Sequence, residues 1–230
     1  MPPLVVATAN IASSLARARA AEALRLVLDE EPDLVGLQEW YAARRGLLRA
    51  SRAAYAWTAP LLGGCAVGVR RERLAVLSSR SVPLSRVGRA DRGETRLGLE
   101  PARSATVVSC RDLLTGEEVA LVDYHLVSGV QALGAYRKDR PRLVARHRQE
   151  VRRLADLVGE LVRDHSSVHA VGDSNLHGLR LPGLTSAWDA LRTEGTLGHR
   201  QVDDVFGPGP AGSVTLVETP SDHRAVVVRR

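Results

Sequence analysis

The sequence predicts an α/β fold in which two mainly antiparallel sheets pack face to face with helices outside. Apolar runs such as Val168–Val171 and Val119–Val122 are too continuous for strands that are wet on one face. The chain also divides into two similar strand-helix-strand halves, separated by a meander of short β-like runs. A third observation concerns where the runs stop. They end in polar groups at Asn10, Gln38-Glu39, His125 and Asp173-Ser174-Asn175, and the last run opens directly after Asp222-His223. Strands that end in this way deliver metal-binding, water-activating or phosphate-holding groups.

In chain order, Leu4–Ala9 reads as the first strand, and Ser13 or Ser14 as the cap of a helix running to about Glu30, where Pro32 stops it. A strand over 34–37 and a helix over 41–53 follow. From Ala56 the period shortens. β-like runs at Ala66–Val69, Leu74–Leu77, Leu97–Leu99, Ala105–Ser109 and Val119–Tyr124 are separated by turn signals such as Gly63-Gly64, Ser78-Ser79 and Thr115-Gly116. Leu143, Val144, Val151, Leu154, Leu157, Val158 and Leu161 share one stripe of a long helix over 139–164. Strands at 168–171, 201–206, 213–218 and 225–228 complete the pattern.

At 230 residues one domain spanning 1–230 is expected, large enough to bury about 70–75% of its unfolded surface. No apolar run reaches the roughly 18 residues of a membrane span, and the chain enters its first strand at Leu4 without a leader pattern. A soluble cytoplasmic monomer is the expectation. Cys65 and Cys110 lack zinc-site spacing and are expected to be buried free thiols. The net charge of +6 invites a polyanion. Nearly all the basic residues are arginine, which also reflects codon bias, so the basic stretch from Arg137 to Arg153 reads equally as a solvated helix face.

The ordered segments Thr8-Ala9-Asn10-Ile11, Leu37-Gln38-Glu39, His125-Leu126, Gly172-Asp173-Ser174-Asn175, Val202-Asp203-Asp204-Val205-Phe206 and Ser221-Asp222-His223 resemble the endonuclease/exonuclease/phosphatase superfamily. That resemblance implies a four-layer α/β sandwich and metal-dependent cleavage of a phosphate ester. It places Asn10, Glu39 and Asp222 at a Mg²⁺ site, with Mn²⁺ as a substitute. A hard cation of this kind prefers carboxylate oxygens and retained water. Asp173 would activate water, and Asn175, His125 and His223 would hold the phosphoryl oxygens. Asp203 would orient His223, because adjacent strand residues face opposite ways and only one of Asp203 and Asp204 can serve. Alone, Asp-x-Asn reads as an Asx turn. Ser174 and Asp204 depart from the family pattern, and His125 has no acid in the 61–69 region to pair with. The remaining histidines, 147, 165, 169, 177 and 199, have surface or turn explanations.

The resemblance leaves the substrate open. Few aromatic residues argue against a bilayer-binding enzyme. Nucleic acid, DNA first, is the expected partner, with phosphate contacts from Arg44, Arg45, Arg103, Arg137 and Arg180. Cleavage leaving 5′-phosphate and 3′-hydroxyl is the expected reaction. The alternatives are a small-molecule or lipid phosphate ester, and a non-catalytic nucleic-acid binder.

Overall fold

The computed structural model describes residues 3–91, 98–132, 134–189 and 195–230. The first half runs through β1 (Val5–Asn10), α1 (Arg17–Leu28), β2 (Leu34–Gln38), a 3-10 helix over Ala42–Ser51, β3 (Tyr55–Thr58), β4 (Ala66–Arg70) and β5 (Leu74–Ser85). The short pair β6 (Gly88–Arg89) and β7 (Leu99–Glu100) precedes β8 (Arg103–Asp112) and β9 (Glu118–His125). A second short pair, β10 (Gln131–Ala132) and β11 (Ala135–Tyr136), leads to α2 (Pro141–Asp164) and β12 (Ser167–Asp173). Next come β13 (Thr185–Ser186), β14 (Asp203–Gly207), β15 (Ser213–Val217) and β16 (Ala225–Arg229).

Two six-stranded sheets result, ordered β15-β16-β1-β2-β4-β3 and β13-β14-β12-β9-β8-β5. Each has one parallel pair at its centre, β1 with β2 and β9 with β12, and antiparallel neighbours elsewhere. The parallel pairs are the two strand-helix-strand units, because parallel neighbours require a crossover and α1 and α2 supply it. Alternation along each strand then sorts the apolar residues into layers. Val6, Leu34, Val67, Leu121, Val171, Val205 and Val226 meet between the sheets. Ala7, Val35 and Val227 face Ala20, Leu24 and Val27 of α1. Val107, Val122, Ala170 and Phe206 face Leu154, Leu157 and Leu161 of α2. The order is helix, sheet, sheet, helix, the four-layer sandwich. Central strands buried on both sides explain the continuous apolar runs.

Several elements depart from expectation for physical reasons. α1 begins at Arg17 with Ala16 at its cap position, not at Ser13 or Ser14, because Ser13 donates its backbone N–H to Glu39. The helix expected over 41–53 is a 3-10 helix with Gly46, a poor α-former, at its middle. β5 runs on through Ser78–Ser81 instead of turning there. As an edge strand it exposes polar residues, and it accommodates Pro83 through register shifts at 76/78 and 83/85. The run at Leu97–Leu99 falls partly outside the described residues. Both cysteines are free and buried.

The sheets approach closely over Gly36. A Cβ there would lie 2.4 Å from Val171 Cγ2 and 2.9 Å from Asp123 Oδ1. Gly36→Ala should therefore destabilise the protein by about 1–3 kcal/mol through overpacking. Urea unfolding measures this, and an unchanged midpoint would contradict the close approach.

Candidate active site

The carboxyl ends of both parallel pairs lie at the same edge of the sandwich, where the two sheets meet. β1 and β2 end in Asn10 and Gln38, and β9 and β12 end in His125 and Asp173. β14 and β16 run the opposite way, so Asp203 at the start of β14 and His223 just before β16 arrive at the same edge. Asp203 lies directly opposite Asp173 in register. The ligand atoms of Asp173, Asp203 and His223 lie within 4.8 Å of one another.

Asp173 is the best-tethered member. Its Oδ1 accepts the Asn175 backbone N–H at 2.7 Å, and its Oδ2 accepts Asn10 Nδ2 at 2.9 Å with His125 Nε2 at 3.6 Å. Burial, reinforced by the Asp203 charge and opposed by His223, Asn175 and Asn10, lifts its pKa to about 7. Asn175 donates Nδ2 to the Leu126 carbonyl at 3.1 Å. His125, expected to lack an acidic partner, thus has Asp173 nearby. Burial, then the Arg103 and His223 charges, hold its imidazole neutral and well below the ordinary pKa.

Asp203 Oδ2 meets His223 Nδ1 at 2.7 Å. Burial alone would push His223 down, but the hydrogen bond and charge of Asp203 outweigh it and raise the pKa to about 9. With Nδ1 committed, Nε2 is the nitrogen left for a substrate oxygen. Asp204 points away from this cluster. Its carboxylate accepts Ser186 Oγ at 2.5 Å, Ala187 N at 3.1 Å and Val205 N at 2.7 Å.

Glu39 and the loop carrying Asp222 both bind the segment leaving β1. Glu39 Oε2 accepts Ser13 N at 2.6 Å, while Ser221 Oγ donates to the Asn10 carbonyl at 2.8 Å and accepts Ala12 N at 3.0 Å. Glu39 and Asn175 have positive φ, 57° and 52°, an unfavourable conformation for residues with a Cβ. Asn10 Oδ1 is buried without a hydrogen-bond partner, as is Asp203 Oδ1. An orphaned amide oxygen at the same strand end as Glu39 is the donor a hard cation takes, so these residues fit a divalent metal.

The same architecture occurs in solved structures along almost the whole chain. D. rerio TDP2 complexed with a single-strand DNA product matches with a TM-score of 0.73 at 16% identity, covering 98% of both chains. An endonuclease/exonuclease/phosphatase from Bacteroides vulgatus matches at 0.73 and 17% identity, covering 100% of this chain and 98% of that one. This chain has the endonuclease/exonuclease/phosphatase fold. A mannosyl-6-phosphatase of Bacteroides thetaiotaomicron has it too, at 0.71 and 15% identity over 98% of both chains. No protein-family model matches the sequence, and no curated protein matches it.

Within this endonuclease/exonuclease/phosphatase fold the five singled-out arginines separate. Arg44 is buried, and its guanidinium donates to the carbonyls of Ile11, Ala12 and Leu15, which makes it a clamp on the loop after β1 in place of the expected phosphate contact. Arg45 is exposed beside Arg49 and Arg52. Arg137 pairs with Asp139 at 2.6 Å, and Arg180 pairs with Asp189 at 3.0 Å beside the buried Asp204. Arg103 differs from all of these. It is 9% exposed, its Nε has no hydrogen-bond partner, its guanidinium makes no ion pair among the described residues, and its charge acts on His125.

Several buried polar residues differ from the sequence expectation. His147, expected at the surface or in a turn, is fully buried on α2, where Nε2 bonds the Ser174 carbonyl at 2.8 Å and Nδ1 meets Tyr136 at 3.1 Å. Its position three after Val144 and four after Leu143 puts it on the apolar stripe, a signal that was available. His169 is likewise buried within β12, and burial with the Arg230 charge lowers its pKa to about 3. Gln38 Nε2 donates to Asp123 Oδ1 at 2.6 Å across the sheet interface. Trp188 Nε1 donates to the Asp203 carbonyl at 2.8 Å.

Burial raises Asp204 from 3.8 to about 7 against its three hydrogen bonds. A raised folded-state pKa contributes stability that is complete below 3.8 and lost as pH rises through about 7. Asp204→Asn keeps an acceptor oxygen for Ala187 and Val205 but cannot ionise. Relative to wild type it should gain stability with rising pH, with a ceiling on the order of 4 kcal/mol. Urea unfolding across this range measures the difference, and a pH-independent difference would contradict the raised pKa.

Proposed function

We propose that this chain is a divalent-metal-dependent phosphoesterase whose substrate is a nucleic-acid phosphodiester, DNA in the first place. The observation that carries the reading is Arg103, a buried guanidinium beside His125 without a carboxylate partner among the described residues. A guanidinium so largely buried, with its Nε unpartnered, is placed to receive a substrate anion through charge-assisted hydrogen bonds. The opposed carboxylates of Asp173 and Asp203 carry a stability cost, with no evident use in a passive binder. DNA as substrate draws support from the net charge of +6 and from the DNA product held by the D. rerio TDP2 of the same fold.

In this reading Glu39, Asp222 and Asn10 Oδ1 hold Mg²⁺, with Mn²⁺ as a substitute. When bound, the ion neutralises charge developing on the phosphate and the leaving oxygen. Asp173 accepts the proton of the attacking water, with both carboxylate oxygens already fixed by Asn175 N and Asn10 Nδ2. His223, kept charged by Asp203, donates Nε2–H to a phosphoryl oxygen. Arg103 binds another phosphoryl oxygen, and neutral His125 and the Asn175 amide complete the hydrogen-bonding set around the phosphorus. In-line attack would leave 5′-phosphate and 3′-hydroxyl.

Asp173→Asn is nearly isosteric but cannot take the proton, so kcat should fall about 10²-fold or more. Glu39→Gln should weaken metal binding and regain rate at raised Mg²⁺. Mg²⁺ titration of bis-p-nitrophenyl phosphate and labelled DNA hydrolysis, with an EDTA control, measures both. Rescue of Asp173→Asn but not Glu39→Gln by excess metal would reverse the roles, and EDTA-insensitive cleavage would exclude the metal.

A further inference from the structure

A cleft of about 550 Å³ opens on the outer side of the second sheet, between the β5–β6 connection and the first turns of α2. Ser85, Arg86, Val87, Gly88, Arg89, Arg146, Gln149 and Arg153 line it, with no carboxylate among the described residues. Arg146 is its built element. At 9% exposure, it donates to Glu150 Oε1 at 3.0 Å, to Ser85 Oγ at 2.7 Å and to the Pro101 carbonyl. Glu150 sits behind it, fully buried, and is further engaged by Ser85 Oγ at 2.6 Å and Val127 N at 2.8 Å. Arg153 reaches the Leu84 carbonyl at 3.0 Å. Arg86 and Arg89 are exposed and make no hydrogen bond or ion pair among the described residues.

Some exposed arginines elsewhere sit against acids, as in Arg19–Glu22, Arg25–Asp29, Arg111–Glu118 and Arg180–Asp189. Arg45, Arg49 and Arg52 form another acid-free cluster among the described residues, in a smaller cleft of about 270 Å³ against the 3-10 helix. Beside the β5–β6 connection four guanidinium groups converge on one cleft, and Glu150, whose carboxylate binds one of them, is buried behind Arg146. A concave cationic surface of this kind concentrates polyanions.

The cleft lies at the catalytic edge of the sandwich. Ser85 at the end of β5 is in register with Arg103 at the start of β8, and β8 neighbours β9, whose end carries His125. From β12 to β5 there are three strand steps of about 4.8 Å, roughly 14 Å in all. At about 3.4 Å of rise per nucleotide of a duplex strand, this spans about four nucleotides. We propose that the cleft holds the phosphodiester backbone of the strand whose scissile phosphate lies at Asp173 and Arg103. This inference rests on the nucleic-acid reading of the site above.

The test compares the affinity of wild type and the Arg86→Ala/Arg89→Ala double variant for a labelled single-stranded oligonucleotide in EDTA, over a salt series. Both side chains are exposed, so the fold should tolerate the change, and thermal unfolding checks it. Affinity should drop on the order of tenfold at low salt, and the log–log salt slope should flatten by about 1.4, at about 0.7 per lost phosphate contact. An oligonucleotide too short to span from Asp173 to the cleft should not distinguish the two proteins. Arg19→Ala/Arg25→Ala on α1 removes the same charge and should bind as wild type does. Equal losses in both double variants would make the effect one of net charge and overturn the cleft. Wild-type affinity in Arg86→Ala/Arg89→Ala would overturn the cleft while leaving the nucleic-acid reading intact. Wild type that hydrolyses bis-p-nitrophenyl phosphate but binds no oligonucleotide would overturn both.

Discussion

The contact between the two parallel strand pairs organises the molecule. Asn10 on β1 hydrogen-bonds Asp173 on β12, and Gln38 on β2 hydrogen-bonds Asp123 on β9. These bonds fix the register of one sheet against the other at the edge where their carboxyl ends meet. Gly36 and the valines around it permit the close approach. Parallel neighbours end at the same edge, so a single fold decision aligns four strand ends. The antiparallel strands β14 and β16 bring their beginnings to the same place. A cleft built this way rests on rigid elements, whose precision exceeds that of loops.

The same contact sets the electrostatics. Between packed sheets Asp173, Asp203, His125 and His223 are largely withdrawn from water, and charges there interact far more strongly than on the surface. Asp203 stands opposite Asp173, and their repulsion is relieved on one side by His223 and on the other by Asn10 and the Asn175 backbone. Burial, then the charges of Arg103 and His223, keeps His125 neutral. Asn10 Oδ1, Asp203 Oδ1 and Arg103 Nε stay without partners, although buried polar groups are usually satisfied. Unmet donors and acceptors of both signs, gathered at one strand-end cluster, suit a metal and a phosphate arriving together.

Legibility followed burial. β1, β2, β9, β12 and β16 are covered on both faces, so their apolar runs and polar ends stood out in the sequence. The stripe of α2 was equally clear. β5 was read short because an edge strand with serines and a proline resembles a turn. Ser13 and Ser14 look like helix caps, and only the tertiary contact with Glu39 reassigns that segment. His147 was misjudged by residue type, despite sitting on the apolar stripe. Arg44 and Arg103 looked alike in sequence. Three carbonyls of the folded chain occupy the first, while the second has no hydrogen-bond or ion-pair partner among the described residues, and local sequence contains nothing that separates them.

We propose that the strand ends form a cation-dependent phosphate site with its metal on the Asn10, Glu39 and Asp222 side. The buried Asp173, Asp203 and His223 group offers an alternative position for the ion. Crystals soaked in Mn²⁺ and a non-hydrolysable phosphodiester, with anomalous diffraction measured at the manganese edge, separate the two directly. An anomalous peak is expected within bonding distance of Glu39 and Asp222, with the phosphate against Arg103 and His223. A peak confined to Asp173, Asp203 and His223, or none at saturating Mn²⁺, would contradict it.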